Sequence, residues 1–174
     1  MRFIAGAEKP HFLADAMLLK LARWLRMLGY SAQTPKTRDD DDLIRIASEN
    51  HLILLTADKA LCQRAKNYSK CCLISGNGLE SRLLQVCCEC RIDPRKIRER
   101  DVPSKHICSM CNGTLAKRGK RSLKSKIPHK SFDSVDDYLQ CARCKRVFWE
   151  GSHNAKILRT LSRLKRIFNT KCPK

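Results

Sequence analysis

The sequence lacks any long apolar run. No stretch reaches the roughly 18–20 apolar residues that a membrane-spanning helix needs, so we expect no association with a membrane. The opening segment MRFIAGAEKPHF is too short and too interrupted for a signal peptide. With 43% hydrophobic and 30% charged residues, and without an extended low-complexity tract, the 174-residue chain has the composition of a folded, globular protein.

Common nucleotide-binding and nucleophile motifs are also missing. Neither G-x-x-x-x-G-K-[ST] nor G-x-G-x-x-G occurs, which argues against a loop that cradles phosphates. No serine or cysteine lies in a recognisable nucleophile elbow. Asp15 is followed by AML, without the second acid two residues on that many aspartyl-phosphate enzymes carry. These absences argue against a phosphate-cradling nucleotide site, a serine or cysteine nucleophile and an aspartyl-phosphate enzyme.

Acidic residues are few relative to basic ones. The chain has 17 Asp and Glu against 36 Lys and Arg, a formal net charge of +19. Such a charge predicts a polyanionic partner, most simply nucleic acid, although composition alone does not separate RNA from DNA or from an acidic protein.

Cysteine, by contrast, is abundant, with eleven residues. Without a signal peptide we expect a reducing compartment, the cytoplasm or alternatively the nucleus, where cysteine pairs bind metals more often than they form disulfides.

Strand-like and helix-like patterns alternate through residues 1–103. The apolar runs HFLA, HLILLT and KCCLIS, with a weaker one at SAQT, predict buried parallel strands, and amphipathic segments between them predict helices. In the first helix, Lys20, Arg23 and Arg26 are expected on the polar side. The alternation predicts an α/β fold, a parallel sheet with helices on both faces.

The pattern changes near Pro103. Residues 104–154 contain two Cys-x-x-Cys pairs, Cys108 with Cys111 and Cys141 with Cys144, and four thiolates satisfy a structural, tetrahedral Zn²⁺. Two disulfides are the alternative. We therefore predict a small zinc ribbon with a basic insert, KRGKRSLKSKIPHK, between its cysteine pairs.

Residues 155–174 predict a basic amphipathic helix. Its apolar stripe must be buried against the first domain or against a protein partner. The remaining cysteines of the first domain lie in apolar patterns or at the end of a predicted helix, and we expect them to be buried as small apolar residues, with a second metal site as the alternative. They are Cys62, Cys71, Cys72, Cys87, Cys88 and Cys90.

Two predicted strands end on an aspartate. Asp15 and Asp58 follow HFLA and HLILLTA, and ligands of open parallel sheets bind at the carboxyl ends of strands. The run Asp39–Asp42 opens a helix and offers further carboxylates, which together suit Mg²⁺ or Mn²⁺. The alternative is that Asp15 and Asp58 only cap the helices that follow them.

The segments FLADAMLLKLARWLRMLGY and ILLTADKAL, followed by two Cys-x-x-Cys pairs and RVFWEGSH, resemble the Mut7-C RNase domain family. The resemblance implies a PIN-like nuclease domain with a C-terminal zinc ribbon. It also implies that Asp15, Asp40 and Asp58 are the catalytic, metal-binding acids, with Asp41 and Asp42 as possible substitutes for Asp40. The chain departs from the family pattern at Ser31, Ala57 and Asn154.

Basic residues cluster in the ribbon insert and in the tail, where they predict contacts with RNA phosphates. Phe148 and Trp149 are expected either to stack on bases or to shield the zinc. The predicted RNA contacts are Arg23, Lys117, Arg118, Lys120, Arg121, Lys124, His153, Arg159, Arg163, Lys165 and Arg166.

Two functions fit these observations. The first is a ribonuclease that uses Mg²⁺ or Mn²⁺ to hydrolyse RNA, while a structural Zn²⁺ holds the ribbon. The second is an RNA-binding scaffold of ribonucleoprotein or ribosome assembly with little or no turnover. A toxin-type nuclease silenced by a protein partner is a third possibility.

Overall fold

The computed structural model describes residues 9–127, 136–151 and 153–172. Its first sheet contains four parallel strands in the order β2-β1-β3-β4. These strands are β1 (Phe12–Ala14), β2 (Ala32–Gln33), β3 (Ile53–Thr56) and β4 (Cys71–Leu73). They confirm the predicted parallel sheet.

Helices cover both faces of this sheet. They are α1 (Leu19–Met27), α2 (Asp40–Glu49), α3 (Lys59–Ala65), α4 (Leu79–Glu89) and α5 (His153–Lys171). Alternate residues of β1 explain the arrangement: Phe12 and Ala14 pack into one apolar core with α1, α4 and α5, while Leu13 packs into a second core with α2 and α3. Because both faces are covered, β1 and β3 are completely buried and read as continuous apolar runs.

The strand order contains a topological switch point between β1 and β3. The connection after β1 leads to β2 on one side of it, and the connection after β2 crosses over to β3 on the other side. Loops therefore diverge at the carboxyl ends of β1 and β3 and leave a crevice between them, where parallel sheets bind their ligands.

A second, antiparallel sheet of three strands follows in the order β5-β6-β7. The strands are β5 (Leu115–Arg118), β6 (Tyr138–Cys141) and β7 (Val147–Trp149). A 3₁₀ segment, Lys120–Lys126, follows β5. We call residues 104–151, as far as they are described, the ribbon.

Arg26 joins the first sheet to the ribbon. The prediction that it lies on the polar side of α1 is wrong, because the side chain is 1% exposed. Its guanidinium donates to the carbonyl of Ala32 at 2.7 Å, to the hydroxyl of Thr34 at 2.9 Å, and to the carbonyls of Ser109 and Met110 at 3.1 and 3.0 Å. The helical pattern alone did not reveal that the ribbon covers this side of α1.

Asn112 of the ribbon extends the same junction. Its side-chain oxygen accepts a hydrogen bond from the backbone N–H of Ala32 at 2.9 Å, and its amide donates to the Ser31 hydroxyl at 3.0 Å. Since β2 is an edge strand, Asn112 pairs a backbone group that the sheet leaves open.

Helix α5 packs on α4. Leu161, Leu164 and Phe168 are buried in the core that includes α1 and α4. The apolar stripe of the tail was expected to be buried either against the first domain or against a protein partner. The structure shows that it is buried against α1 and α4 of the first domain. In the described part of the chain, no helix has the length and apolar character needed to cross a membrane.

Four cysteines form disulfides, Cys62 with Cys71 and Cys88 with Cys172. The prediction that these cysteines are buried as small apolar residues is confirmed for Cys62, which is nevertheless disulfide-bonded, but it is wrong for Cys71, which is half-buried, and for Cys88, which is exposed. The Cα separations of 5.7 and 6.5 Å lie within the range that disulfides span. The pairing depends on how α3 meets β4 and how α5 meets α4, which residue patterns along the chain do not specify. Cys72, Cys87 and Cys90 are buried and unpaired, as predicted.

Candidate functional site

Asp15 lies directly after β1, at the switch point. Its backbone N–H donates to the carbonyl of Leu55 at 3.0 Å, and its carboxylate accepts a hydrogen bond from the Thr56 hydroxyl at 3.0 Å. The side chain makes no capping hydrogen bond to the 3₁₀ turn that follows, Ala16–Leu18. The capping alternative therefore does not explain Asp15.

Asp58 lies two residues after β3 and does cap a helix. Its Oδ1 accepts a hydrogen bond from the backbone N–H of Leu61 at 3.0 Å, at the first turn of α3. Its own N–H donates to the Thr56 hydroxyl at 3.0 Å. The Thr56 side chain, fully buried, thus contacts both predicted acids.

The acid run at the start of α2 is divided among different partners. Asp39 caps the helix by accepting from the N–H of Asp42, and Asp42 pairs with Arg45 at 2.8 Å. Arg64, from α3, forms ion pairs with Asp40 at 3.2 Å and with Asp41. The Arg45 hydrogen bond lowers the pKa of the Asp42 carboxyl. Each of these acids therefore already contacts an arginine or caps the helix.

The predicted three-acid site is not assembled as a single ligand cluster. Among the residues that the structure describes, four cysteines are the one group of three or more potential ligands whose ligating atoms lie within 4.8 Å of one another. Asp15 and Asp58 share Thr56, whereas Asp40 is held by Arg64. Asp15 and Asp58 thus lie close to one another at the carboxyl edge of the sheet, while the carboxylate of Asp40 is paired with Arg64.

Thr56 and Arg64 were not singled out from the sequence. Thr56 stands at the end of the clearest predicted strand, two residues before Asp58, and a hydroxyl in that position is a usable signal. Arg64 carries no such signal, because its pairing with Asp40 joins residues 24 positions apart on two helices.

The ribbon cysteines do converge. The Sγ atoms of Cys108 and Cys144 lie 3.7 Å apart, and those of Cys111 and Cys141 lie 3.5 Å apart. Four sulfurs at about 2.3 Å from a tetrahedral zinc would be separated by about 3.8 Å. Cys108 and Cys141 are fully buried. The four-cysteine cluster therefore fits a structural metal such as zinc.

Each cysteine pair lies on the same kind of turn. Asn112 and Lys145, the residues that follow the second cysteine of each pair, have φ angles of 65° and 61°. Their N–H groups donate to the carbonyls of Cys108 and Cys141 at 2.9 and 3.1 Å. The two turns present their sulfurs on one side, so the ligand set is largely preformed.

Backbone hydrogen bonds favour the ionised, thiolate form of one of these cysteines. Burial opposes ionisation of Cys141, but hydrogen bonds from the backbone N–H groups of Cys144 and Arg143 lower its pKa to about 6. Burial raises the pKa of Cys108 to about 12. Since zinc binds thiolates, Cys108 would have to lose its proton for the cluster to hold zinc.

Gly113 offers a direct test of the cluster. A Cβ there would lie 3.0 Å from the Sγ of Cys141 and 3.3 Å from that of Cys111. We expect Gly113→Ala to weaken zinc binding by about 10- to 100-fold, the range found when groups that position metal ligands are disturbed. Competition against a chromophoric chelator measures the affinity. Gly119→Ala is the matched control because its added Cβ meets no atom within 4 Å, and equal affinities for both variants would contradict the prediction.

The predicted RNA contacts lie on several surfaces. Lys117 and Lys120 are not free of acids, because Asp137 and Asp136 approach them at 3.6 and 3.3 Å. Arg118 and Arg121 are exposed beside them. Arg23 is exposed on α1 and donates to the sulfur of Met110 at 2.8 Å.

Helix α5 carries the other basic surface. Arg159, Arg163 and Arg166 line one shallow cavity of about 530 Å³, and Arg163 pairs with Glu80 at 3.3 Å. Lys165 on the same helix is partly buried. The side chains of Lys124 and His153 lie outside the described part of the structure.

The ribbon aromatics have separate roles in packing. Phe148 packs against the apolar cluster that contains Cys108 and Cys141, which fits the shielding alternative. Trp149 packs with Tyr138 instead, with ring centroids 6.1 Å apart. Both remain partly exposed.

Comparison with known proteins identifies a family that matches most of the chain. The model of the Mut7-C RNAse domain matches residues 10–161, which include both sheets, all four ribbon cysteines and both strand-end aspartates. No curated protein and no solved structure matches the chain.

Proposed function

The chain belongs to the Mut7-C RNAse domain family, and on this basis we propose that it is a divalent-metal-dependent ribonuclease that hydrolyses phosphodiester bonds of RNA. The observation that carries this proposal is the position of Asp15 and Asp58 on either side of the switch point, where the Thr56 hydroxyl meets the carboxylate of Asp15 and the backbone N–H of Asp58. Two carboxylates at the carboxyl edge of a parallel sheet occupy the usual ligand-binding position of such folds.

Asp15 and Asp58 are the residues that would hold Mg²⁺ or Mn²⁺, through oxygen ligands of the kind these ions prefer. Bound there, the ion would supply activation of water and stabilisation of charge on the phosphate oxygens. Thr56 orients Asp15 by donating to its carboxylate. Asp40 becomes available as a third ligand when its ion pair with Arg64 opens; both partners are about half exposed, so this costs little.

The basic surfaces of the ribbon and of α5 are proposed to hold the RNA. Their exposed arginines suit phosphates rather than bases, so we expect binding with a strong salt dependence and little sequence preference. Two acids, Asp136 and Asp137, offset Lys117 and Lys120, whereas one acid, Glu80, offsets Arg163 on α5. The α5 surface is therefore expected to contribute more than the β5 surface.

Asparagine substitution of the two strand-end aspartates tests the proposal. Asn accepts hydrogen bonds as Asp does and caps helices about as well, so Asp15→Asn and Asp58→Asn keep the Thr56 and Leu61 hydrogen bonds and remove only the charge. We expect each to lower kcat/KM for RNA cleavage in Mn²⁺ by about 100-fold or more, the effect typical of losing a group that stabilises charge in the transition state.

Glu49→Gln is the matched control, because it removes one exposed carboxylate at the C-terminal end of α2, the end opposite to the acid run Asp39–Asp42. It should cleave RNA as the parent does, and all proteins should unfold at similar denaturant concentrations. Cleavage by both asparagine variants at the rate of the parent would remove Asp15 and Asp58 from the reaction.

A second candidate function is RNA binding without turnover. It is favoured by the engagement of Asp58 as a helix cap and of Asp40 with Arg64. Under this candidate, the parent binds RNA tightly at low salt, cleaves no RNA in any divalent metal, and loses no affinity in the asparagine variants.

A further inference from the structure

A basic cavity lies at the end of the first sheet opposite to the aspartates. It has a volume of about 570 Å³ and forms where the segment before β1, the end of α1 and the linker to the ribbon meet. Lys9 is six residues before Asp15, so extended chain places the two about 20 Å apart at roughly 3.3 Å per residue. The cavity is therefore separate from the candidate catalytic site.

Cationic groups dominate its wall. Four cationic side chains line the cavity against one carboxylate, and His106 lies among them. The cations are Lys9, Lys96, Arg98 and Lys105, and the carboxylate is Asp101. A concave surface with such an excess of positive charge concentrates anions.

Three carboxylates lie near these cations. Asp93, whose charge interacts with Lys96, is already paired with Arg95 at 2.8 Å. The other two are weak competitors for an anion. Arg98 pairs with Asp101 at 2.6 Å and Lys105 pairs with Glu150 at 3.0 Å. All four side chains of these pairs are roughly half or more exposed, and exposed pairs contribute only about 0–1 kcal/mol. A phosphate can replace either carboxylate at little cost.

Lys9 is held over the cavity by its surroundings. Its ammonium lies 5.5 Å from the centre of the Tyr30 ring and 3.5 Å from the carbonyl oxygen of Gly29. Gly29 has a φ of +86°, the left-handed conformation that ends α1 and turns the chain toward β2. The ammonium is thus partly ordered before any ligand arrives, which lowers the entropy cost of binding.

From these observations we propose that this cavity binds a backbone phosphate of the RNA chain at a distance from the cleavage site. The proposal rests on the proposed function in taking RNA as the substrate, and it does not depend on turnover. It makes the linker of residues 94–107 part of the RNA-binding surface, together with the ribbon and α5.

The test compares two double variants in the Asp15→Asn background, where RNA stays intact. Lys9→Gln with Lys96→Gln removes two charges from the cavity. Lys66→Gln with Lys70→Gln removes two exposed charges elsewhere and is the matched control. Affinity for a labelled single-stranded oligonucleotide is measured by fluorescence anisotropy across a salt series.

We expect the cavity variant to reduce the slope of log K against log salt by about 0.7, since it loses one phosphate contact and each such contact contributes about 0.7 for single strands. The control should leave the slope unchanged. Equal slopes for the two double variants would overturn the proposal.

NMR distinguishes the sources of the phosphate. Backbone amide signals of Gly29 and His106 should shift on addition of the oligonucleotide and shift less in the cavity variant. A shift with inorganic phosphate or a mononucleotide but none with the oligonucleotide would overturn the proposal in favour of a free-phosphate site. If the parent cleaves no RNA and the slopes still differ, the ribonuclease assignment fails while the cavity proposal holds.

Discussion

Replacing Arg26 by methionine is expected to lower the free energy of unfolding by about 3–5 kcal/mol. The guanidinium donates four hydrogen bonds from a position that is 1% exposed, and three of the acceptors are backbone carbonyls. Methionine keeps much of the apolar stem but donates nothing, so these carbonyls lose their partner. Each buried polar group left unpaired costs about 1–3 kcal/mol.

Arg23→Met is the matched control for this experiment. Arg23 lies one turn earlier on α1, is exposed, and makes one contact, to the sulfur of Met110. Urea denaturation of the zinc-loaded proteins should show a change below about 1 kcal/mol for Arg23→Met, as is usual for surface substitutions. Similar losses in the two variants would show that the Arg26 hydrogen bonds contribute no more to stability than one surface contact.

The second large effect is expected on removal of a zinc ion bound to the four-cysteine cluster. Metal binding contributes on the order of 10–16 kcal/mol to small zinc-dependent folds, and the ribbon has only small apolar clusters of its own. We expect a strong chelator to unfold the ribbon and, through loss of Asn112, to expose the N–H of Ala32 at the edge of the first sheet.

Hydrogen exchange before and after chelation measures this coupling. Protection of Ala32 should fall sharply, while that of Leu54, which donates to Lys70 inside the sheet, should fall much less. Asn112→Gly separates the hydrogen bond from the metal, since glycine accepts the φ of 65° and the cysteines remain. In that variant Ala32 should lose protection with zinc bound. Unchanged protection of Ala32 after chelation would show that the edge strand is independent of the ribbon.

Much of the local architecture was predictable. Strands at HFLA, HLILLT and KCCLIS, and the helices between them, follow from short-range apolar periodicity, which reports which residues share a face. The two Cys-x-x-Cys pairs indicated a metal site by spacing alone, and the structure brings their sulfurs together. The resemblance of the sequence to the Mut7-C RNase domain family is confirmed by the family match.

The site itself was less predictable. Asp15 and Asp58 are 43 positions apart in the sequence, and they lie near one another because β1 and β3 are neighbouring strands. No short sequence pattern specifies which strands are neighbours. The same holds for Arg64, which crosses from α3 to the acids of α2, and for the disulfide between Cys88 and Cys172.

The sequence by itself determined the succession of strands and helices, the ligand type of the ribbon and the excess of positive charge, because each depends on residue identity and short spacing. Only the tertiary structure decided that Arg26 is buried, that Asp40 faces an arginine and that a cationic cavity forms opposite the aspartates. These properties depend on contacts between segments that are far apart in the sequence. Such contacts are determined by how the helices and the ribbon pack against the first sheet.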